Sequence, residues 1–177
     1  MKLVILDRDG TINEDSDSYV KSVAEWKPIP GSLEAIARLS QAGYRLVVAT
    51  NQSGIARGLF DTTTLVAIHD TLQRAAAQAG GRIDAFFFCP HAADSACQCR
   101  KPRPGMLVEI ARRFNVSLRD AYMVGDALRD VEAAAAAGAR PVLVLTGKGK
   151  RTREEGNLPP GTEVYADLAA FARKLAP

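Results

Sequence analysis

The sequence predicts an α/β protein, a Rossmann-like parallel sheet with helices on both faces. Three observations predict it. Short runs rich in β-branched or aromatic residues alternate with helical patterns along the chain. Most of the helical patterns stop at a glycine. Polar clusters follow several of the strands, where open parallel sheets bind their ligands.

Taken in order, residues 3–6 read as the first strand, ended by Asp7-Arg8-Asp9-Gly10-Thr11. Residues 32–41 read as a helix closed at Gly43, and residues 45–49 as a second strand delivering Thr50-Asn51-Gln52-Ser53-Gly54. Asp61 stands in an N-cap position before a helix over residues 63–79, which Gly80-Gly81 ends. Residues 85–88 form the third strand, and Pro104 suits the first turn of a helix over residues 105–113. Residues 122–124 lead into Gly125-Asp126, then a helix over residues 127–137 whose alanines suit close packing. Residues 141–145 are a fifth strand. The charged, glycine- and proline-containing stretch 148–161 reads as a surface loop before a last short strand and a helix over residues 167–175.

The chain has 177 residues, 47% of them apolar and 24% charged, which predicts one domain, residues 1–177, with a real core. The formal charge, 23 − 20 = +3, is spread along the chain and argues against nucleic acid as a partner. No apolar run approaches the roughly 18 residues that span a bilayer. No membrane partner, a cytoplasmic location and a monomer are therefore the expectations.

A phosphate ester at the carboxyl edge needs a carboxylate nucleophile, a second carboxylate to handle protons, and positive charge. Asp7 and Asp9 supply the carboxylates, Lys101 the charge, and Asp126 a further oxygen ligand for Mg²⁺. In order and approximate spacing, Asp7-Arg8-Asp9-Gly10-Thr11, Thr50-Asn51, Lys101 and Gly125-Asp126 with Asp130 resemble the four motifs of the haloacid dehalogenase superfamily of phosphatases. The resemblance implies that Asp7 is the nucleophile, Asp9 the general acid and base, and Thr50 the phosphoryl ligand. It implies that Lys101 offsets charge, and that Asp7, Asp126 and the Asp9 carbonyl hold Mg²⁺. Asp130 positions Lys101 or a metal-bound water, or only occupies the first turn of a helix.

Cys89, His91, Cys97 and Cys99 form a C-x-H-x5-C-x-C cluster within the loop 89–99. Three thiolates and an imidazole are a closed tetrahedral set, so a structural Zn²⁺ is expected. The stretches DRDGT, TNQSGIARG and CRKPRPGM, with this loop, resemble one branch of the superfamily. It contains heptose bisphosphate phosphatases of lipopolysaccharide core synthesis and histidinol-phosphate phosphatases. Pro104-Gly105-Met106 resembles the heptose enzymes more closely. A phosphorylated sugar is thus the expected substrate, histidinol phosphate the alternative, and a catalytically inactive zinc-stabilised binding module the alternative of another class.

A bisphosphate needs a second anion site, for which Arg57, Arg100, Arg103 and Lys148 are candidates, with Asn51 beside them as a substrate-binding residue. The segments 12–30 and 89–104 are too short for a large cap domain, so an open site is expected. Tyr19, Val20 and Trp26 are expected to anchor the first of these segments on the core, and His69 to be a partly packed helix residue.

Overall fold

The structure is a computed structural model and describes residues 1–177. Strands and helices alternate as β1 (Leu3–Leu6), α1 (Ser32–Gln41), β2 (Arg45–Asn51), α2 (Thr62–Gln78), β3 (Ala85–Cys89) and α3 (Gly105–Phe114). The second half continues with β4 (Tyr122–Gly125), α4 (Leu128–Ala137), β5 (Arg140–Val144), α5 (Gly149–Glu155), β6 (Glu163–Tyr165) and α6 (Leu168–Leu175).

All six strands are parallel, in the order β3-β2-β1-β4-β5-β6. The chain winds outward from β1 to β3, then returns to place β4 on the other side of β1. The crevice between the carboxyl ends of β1 and β4 is therefore the switch point, where such sheets leave room for a ligand.

The period-2 alternation of the strands divides the core. Val4 and Leu6 of β1 pack with Leu46, Val48 and Val142 under α1, α2 and α6. Leu3 and Ile5 face the opposite side with Val47, Ala49 and Met123, under α3 and α4. Ala133 and Ala134 of α4 are fully buried there, the close packing expected of the alanine run. Helix starts follow the caps: Asp61 Oδ1 accepts from Thr64 N at 2.8 Å and Asp167 Oδ1 from Ala170 N at 2.7 Å. None of the helices is long and apolar enough to cross a membrane.

The stretch 148–161 departs from the expected loop, because Gly149–Glu155 form α5. This turn carries no apolar stripe for periodicity to reveal. Its anchor is polar: Thr152 Oγ1 donates to the main-chain oxygen of Asp126 at 2.9 Å, so α5 is tied to the end of β4.

Phe171 of α6 is almost fully buried, with the rings of Tyr122 and Tyr165 edge-on at 5.4 and 5.5 Å. Phe171→Ala is expected to lose about 3–5 kcal/mol in denaturant unfolding. Val108→Ala, at an exposed position of α3, should stay within about 0.5 kcal/mol of the parent.

Candidate active site

The backbone carries β1 one residue past its end, since Asp7 N donates to Val124 O at 2.8 Å. Asp7 is thereby buried beside the end of β4. The turn after it needs Gly10, whose φ is +83° and where a β-carbon would overlap the Asp126 carboxylate.

Lys101 comes from the connection after β3 and is buried to 1% exposure. Its ammonium lies 2.9 Å from Asp7 Oδ1 and 2.7 Å from Asp130 Oδ1, and donates to Ala49 O at 2.7 Å. All three donors of the ammonium are used. Burial works against its charge, but Asp130 and Asp7 outweigh that and hold its pKa above the ordinary lysine value. Asn51 fixes the segment: its side chain donates to Lys101 O at 3.0 Å and accepts from Lys101 N at 3.1 Å. Asp130 occupies the first turn of α4, where Oδ2 also accepts from Ala127 N at 3.0 Å.

Asp7, Asp126 and Asp130 each present a carboxylate oxygen, and these lie within 4.8 Å of one another. Burial and the Asp130 charge push the Asp7 carboxyl up to about 6, against the pull of Lys101 and Arg129. Burial, then Asp130 and Asp7, push Asp126 up to about 8. Asp126 Oδ2 accepts from Lys148 N at 2.7 Å, while Oδ1 is buried with no partner. A carboxylate oxygen without a partner, among three crowded acids, fits a hard divalent cation such as Mg²⁺.

Asp9 is arranged differently. Its oxygens accept from Arg8 Nε at 2.9 Å, Asn13 Nδ2 at 2.9 Å and Gln52 Nε2 at 3.0 Å. Burial tends to raise this carboxyl, but Arg8 foremost, with Asn13 and Gln52, holds it below the usual range. Gln52 also donates to Thr50 Oγ1 at 2.9 Å, orienting the hydroxyl at the end of β2.

Asp7, Asp9, Thr50, Asn51, Arg100 and Lys148 line one cavity at the switch point. Asp15, Ser16, Asp17, Tyr19 and Ser53 also line it, so Tyr19 faces the cavity whereas Val20 and Trp26 are buried anchors as expected. Two of the basic candidates are not brought into it. Arg103 Nη1 donates to Ser95 O at 2.8 Å and to Cys97 O, turned toward the cysteine loop. Arg57 donates to Tyr19 Oη at 2.9 Å and lies over that ring, 5.8 Å from its centroid. Arg129 of α4, which no sequence signal singled out, does line the cavity. Arg129 Nε and Arg100 Nη1 are both buried without a partner. His69 is buried rather than partly packed.

The cysteine loop forms a second centre. Cys89 Sγ lies 3.8 Å from Cys97 Sγ and 3.4 Å from His91 Nδ1, which is 3.3 Å from Cys99 Sγ. A tetrahedron with bonds of about 2.3 Å to sulfur has edges of roughly 3.8 Å, slightly shorter to nitrogen. The donor set and its spacing fit Zn²⁺, and these four residues could hold one.

The profile described as HAD-hydrolase-like matches residues 98–171. A Bordetella bronchiseptica protein named D-glycero-beta-D-manno-heptose-1,7-bisphosphate 7-phosphatase is 61% identical over 175 residues, 99% of this chain and 98% of its own. Among solved structures, a D,D-heptose 1,7-bisphosphate phosphatase from B. bronchiseptica, complexed with magnesium and phosphate, shares 60% identity at a TM-score of 0.97, covering 99% of this chain and 98% of its own. The corresponding Burkholderia thailandensis phosphatase shares 55% identity at a TM-score of 0.80, with 99% and 98% covered. The chain belongs to the haloacid dehalogenase-like hydrolases, in the family of these phosphatases, and is a phosphoric monoester hydrolase.

The acid cluster predicts a pH-dependent response to metal. An unperturbed aspartate ionises near 3.8, whereas Asp7 and Asp126 keep their protons to about 6 and about 8 in the metal-free fold. The folded protein therefore binds more protons than the unfolded chain across this window, and metal-free stability falls as pH rises through it. Mg²⁺ at about 100 times its Kd contributes about 2.7 kcal/mol. Melting curves are expected to show a Mg²⁺-induced rise in Tm that is larger at pH 8 than at pH 5. A rise independent of pH would place the ion elsewhere.

Proposed function

We propose that this protein removes the C7 phosphate of D-glycero-D-manno-heptose 1,7-bisphosphate, through an aspartyl phosphate on Asp7, as a step toward nucleotide-heptose and the lipopolysaccharide core. The observation that carries the reading is the Asp7–Lys101–Asp130 group beside the unpartnered Asp126 oxygen, at the rim of a family relative's fold. Mg²⁺, held by Asp7, Asp126 and the Asp9 carbonyl, would offset the charge of the phosphate.

Lys101 pairs with Asp7 Oδ1, which leaves Oδ2 to attack phosphorus. An arriving phosphate dianion pushes the Asp9 carboxyl up by like-charge repulsion, so that it takes a proton. Asp9 gives that proton to the C7 oxygen as the P–O bond breaks, and the phosphoryl group is left on Asp7. Asp9 then removes a proton from the water that attacks the same phosphorus, and Asp7 is released as carboxylate. Thr50 Oγ1 and the Lys101 charge hold the phosphoryl oxygens in both halves.

The phosphate that does not react requires its own cations. Arg100 Nη1 and Arg129 Nε have unfilled donors at the cavity, and we assign them this second phosphate. Asp15, Ser16, Asp17 and Tyr19 offer acceptors to the sugar hydroxyls. Zinc at Cys89, His91, Cys97 and Cys99 would act structurally, since the four ligands close its shell.

Phosphate release with Mg²⁺ present, from heptose 1,7-bisphosphate and from histidinol phosphate in parallel, tests the reading. Charge-assisted hydrogen bonds contribute about 1.5–3 kcal/mol each, so kcat/KM should favour the bisphosphate by at least about tenfold. Preference for histidinol phosphate would refute the assigned substrate, and no release from either would leave a binding module.

A further inference from the structure

Arg8 lies between the two site aspartates, with a side chain fully withdrawn from solvent. Its Nε donates to Asp9 Oδ1 at 2.9 Å and its Nη2 to Asp9 Oδ2 at 3.2 Å. Adjacent residues joined in this way can move together, so the pair needs an outside tether. On the guanidinium side the tether is His69 of α2, whose Nε2 lies 3.2 Å from Arg8 Nη1.

A guanidinium has donors only, so Nε2 of His69 must be the acceptor and the ring proton must sit on Nδ1. Burial, with the Arg8 charge beside it, lowers the His69 pKa to about 3, in keeping with a neutral ring. The ring itself is held by β3: it stacks on Phe86 with centroids 4.6 Å apart at 18°, and Phe88 meets it edge-on at 6.5 Å. A rigid path therefore runs from β3 through His69 and Arg8 to the Asp9 carboxylate.

We infer that His69 is a positioning residue that acts through Arg8, fixing where Asp9 presents its proton to the leaving oxygen. The inference rests on the reading of Asp9 as general acid. The leaving group separates this role from a merely structural one. An alkyl oxygen, as in the sugar phosphate, needs a proton as it departs, whereas 4-nitrophenolate leaves without one. Because kcat/KM reports only steps up to the first irreversible one, it isolates this half of the reaction.

The experiment measures kcat/KM on heptose 1,7-bisphosphate and on 4-nitrophenyl phosphate for the full chain and for His69→Phe, His69→Gln and Asp9→Asn. Phenylalanine keeps the stack and removes the acceptor; glutamine restores an acceptor oxygen. His69→Phe should lose about 10- to 100-fold on the heptose and less than about threefold on the aryl ester, part of the 10²–10⁴ that general acid catalysis contributes. His69→Gln should recover most of the loss, and Asp9→Asn should show the same discrimination, enlarged.

Equal losses on both esters for His69→Phe, with Asp9→Asn still discriminating, would overturn the role of His69 and leave the reading of Asp9 intact. Equal losses for Asp9→Asn would overturn that reading and the inference with it. Should His69→Phe fail to fold, nitrogen NMR of the parent decides, since the chain has only two histidines. An unprotonated Nε2 on His69 is the expected result, and a protonated one would contradict the inference.

Discussion

The buried ammonium of Lys101 is the interaction on which the rest of the site depends. It touches Asp7 from the end of β1, Asp130 from α4 and the Ala49 carbonyl of β2, and so gathers three elements at one point. Such a pair gains little net stability, because removing the charges from water offsets much of their attraction. Its value is positional. With Lys101 in place, Asp7 can sit buried and still be held largely ionised against the burial and the Asp130 charge that raise it. The remaining imbalance, three carboxylates against too few cations, suits the cluster to a divalent ion.

The connection that delivers Lys101 has little apolar content and is held by polar devices instead. Asn51 grips its backbone from β2, and Arg103 spans the Ser95 and Cys97 carbonyls. The three cysteines and the histidine of the cluster sit immediately before it. A metal there would supply the folding free energy that the loop cannot obtain from burial. Arg103 thus serves the loop that carries Lys101, whereas Arg100, three residues closer to the cluster's last cysteine, is left free to face the cavity.

Much of this was legible in the sequence. Period-2 strands and glycine-stopped helices specify the alternation; Asp7, Thr50 and Asp126 fall on strand ends that the fold brings to one edge, and Lys101 falls on the connection after β3. The cysteine and histidine spacing was legible because ligand chemistry restricts it. What was not legible is side-chain direction in irregular segments. Arg100 stood out by its place beside Lys101, but nothing in the sequence showed that Arg57 and Arg103 turn away from the cavity, which only the backbone path decides. Arg129 was hidden at a helix start, beside Asp130, where no motif marked it. The helix α5 was hidden because its anchor is one hydroxyl, that of Thr152, rather than an apolar face. His69 read as a partly packed helix residue because its acceptor role exists only once Arg8 is buried beside it.

The central claim is that Asp7, held by Lys101, becomes covalently phosphorylated. The most direct test is to quench the full chain during turnover with Mg²⁺ and heptose 1,7-bisphosphate, reduce with borohydride, and map the peptides by mass spectrometry. An aspartyl phosphate is reduced to homoserine, and the account predicts homoserine at position 7 and at no other aspartate. Steady turnover with Asp7 recovered unmodified, or homoserine at Asp9 or Asp126 instead, would contradict it.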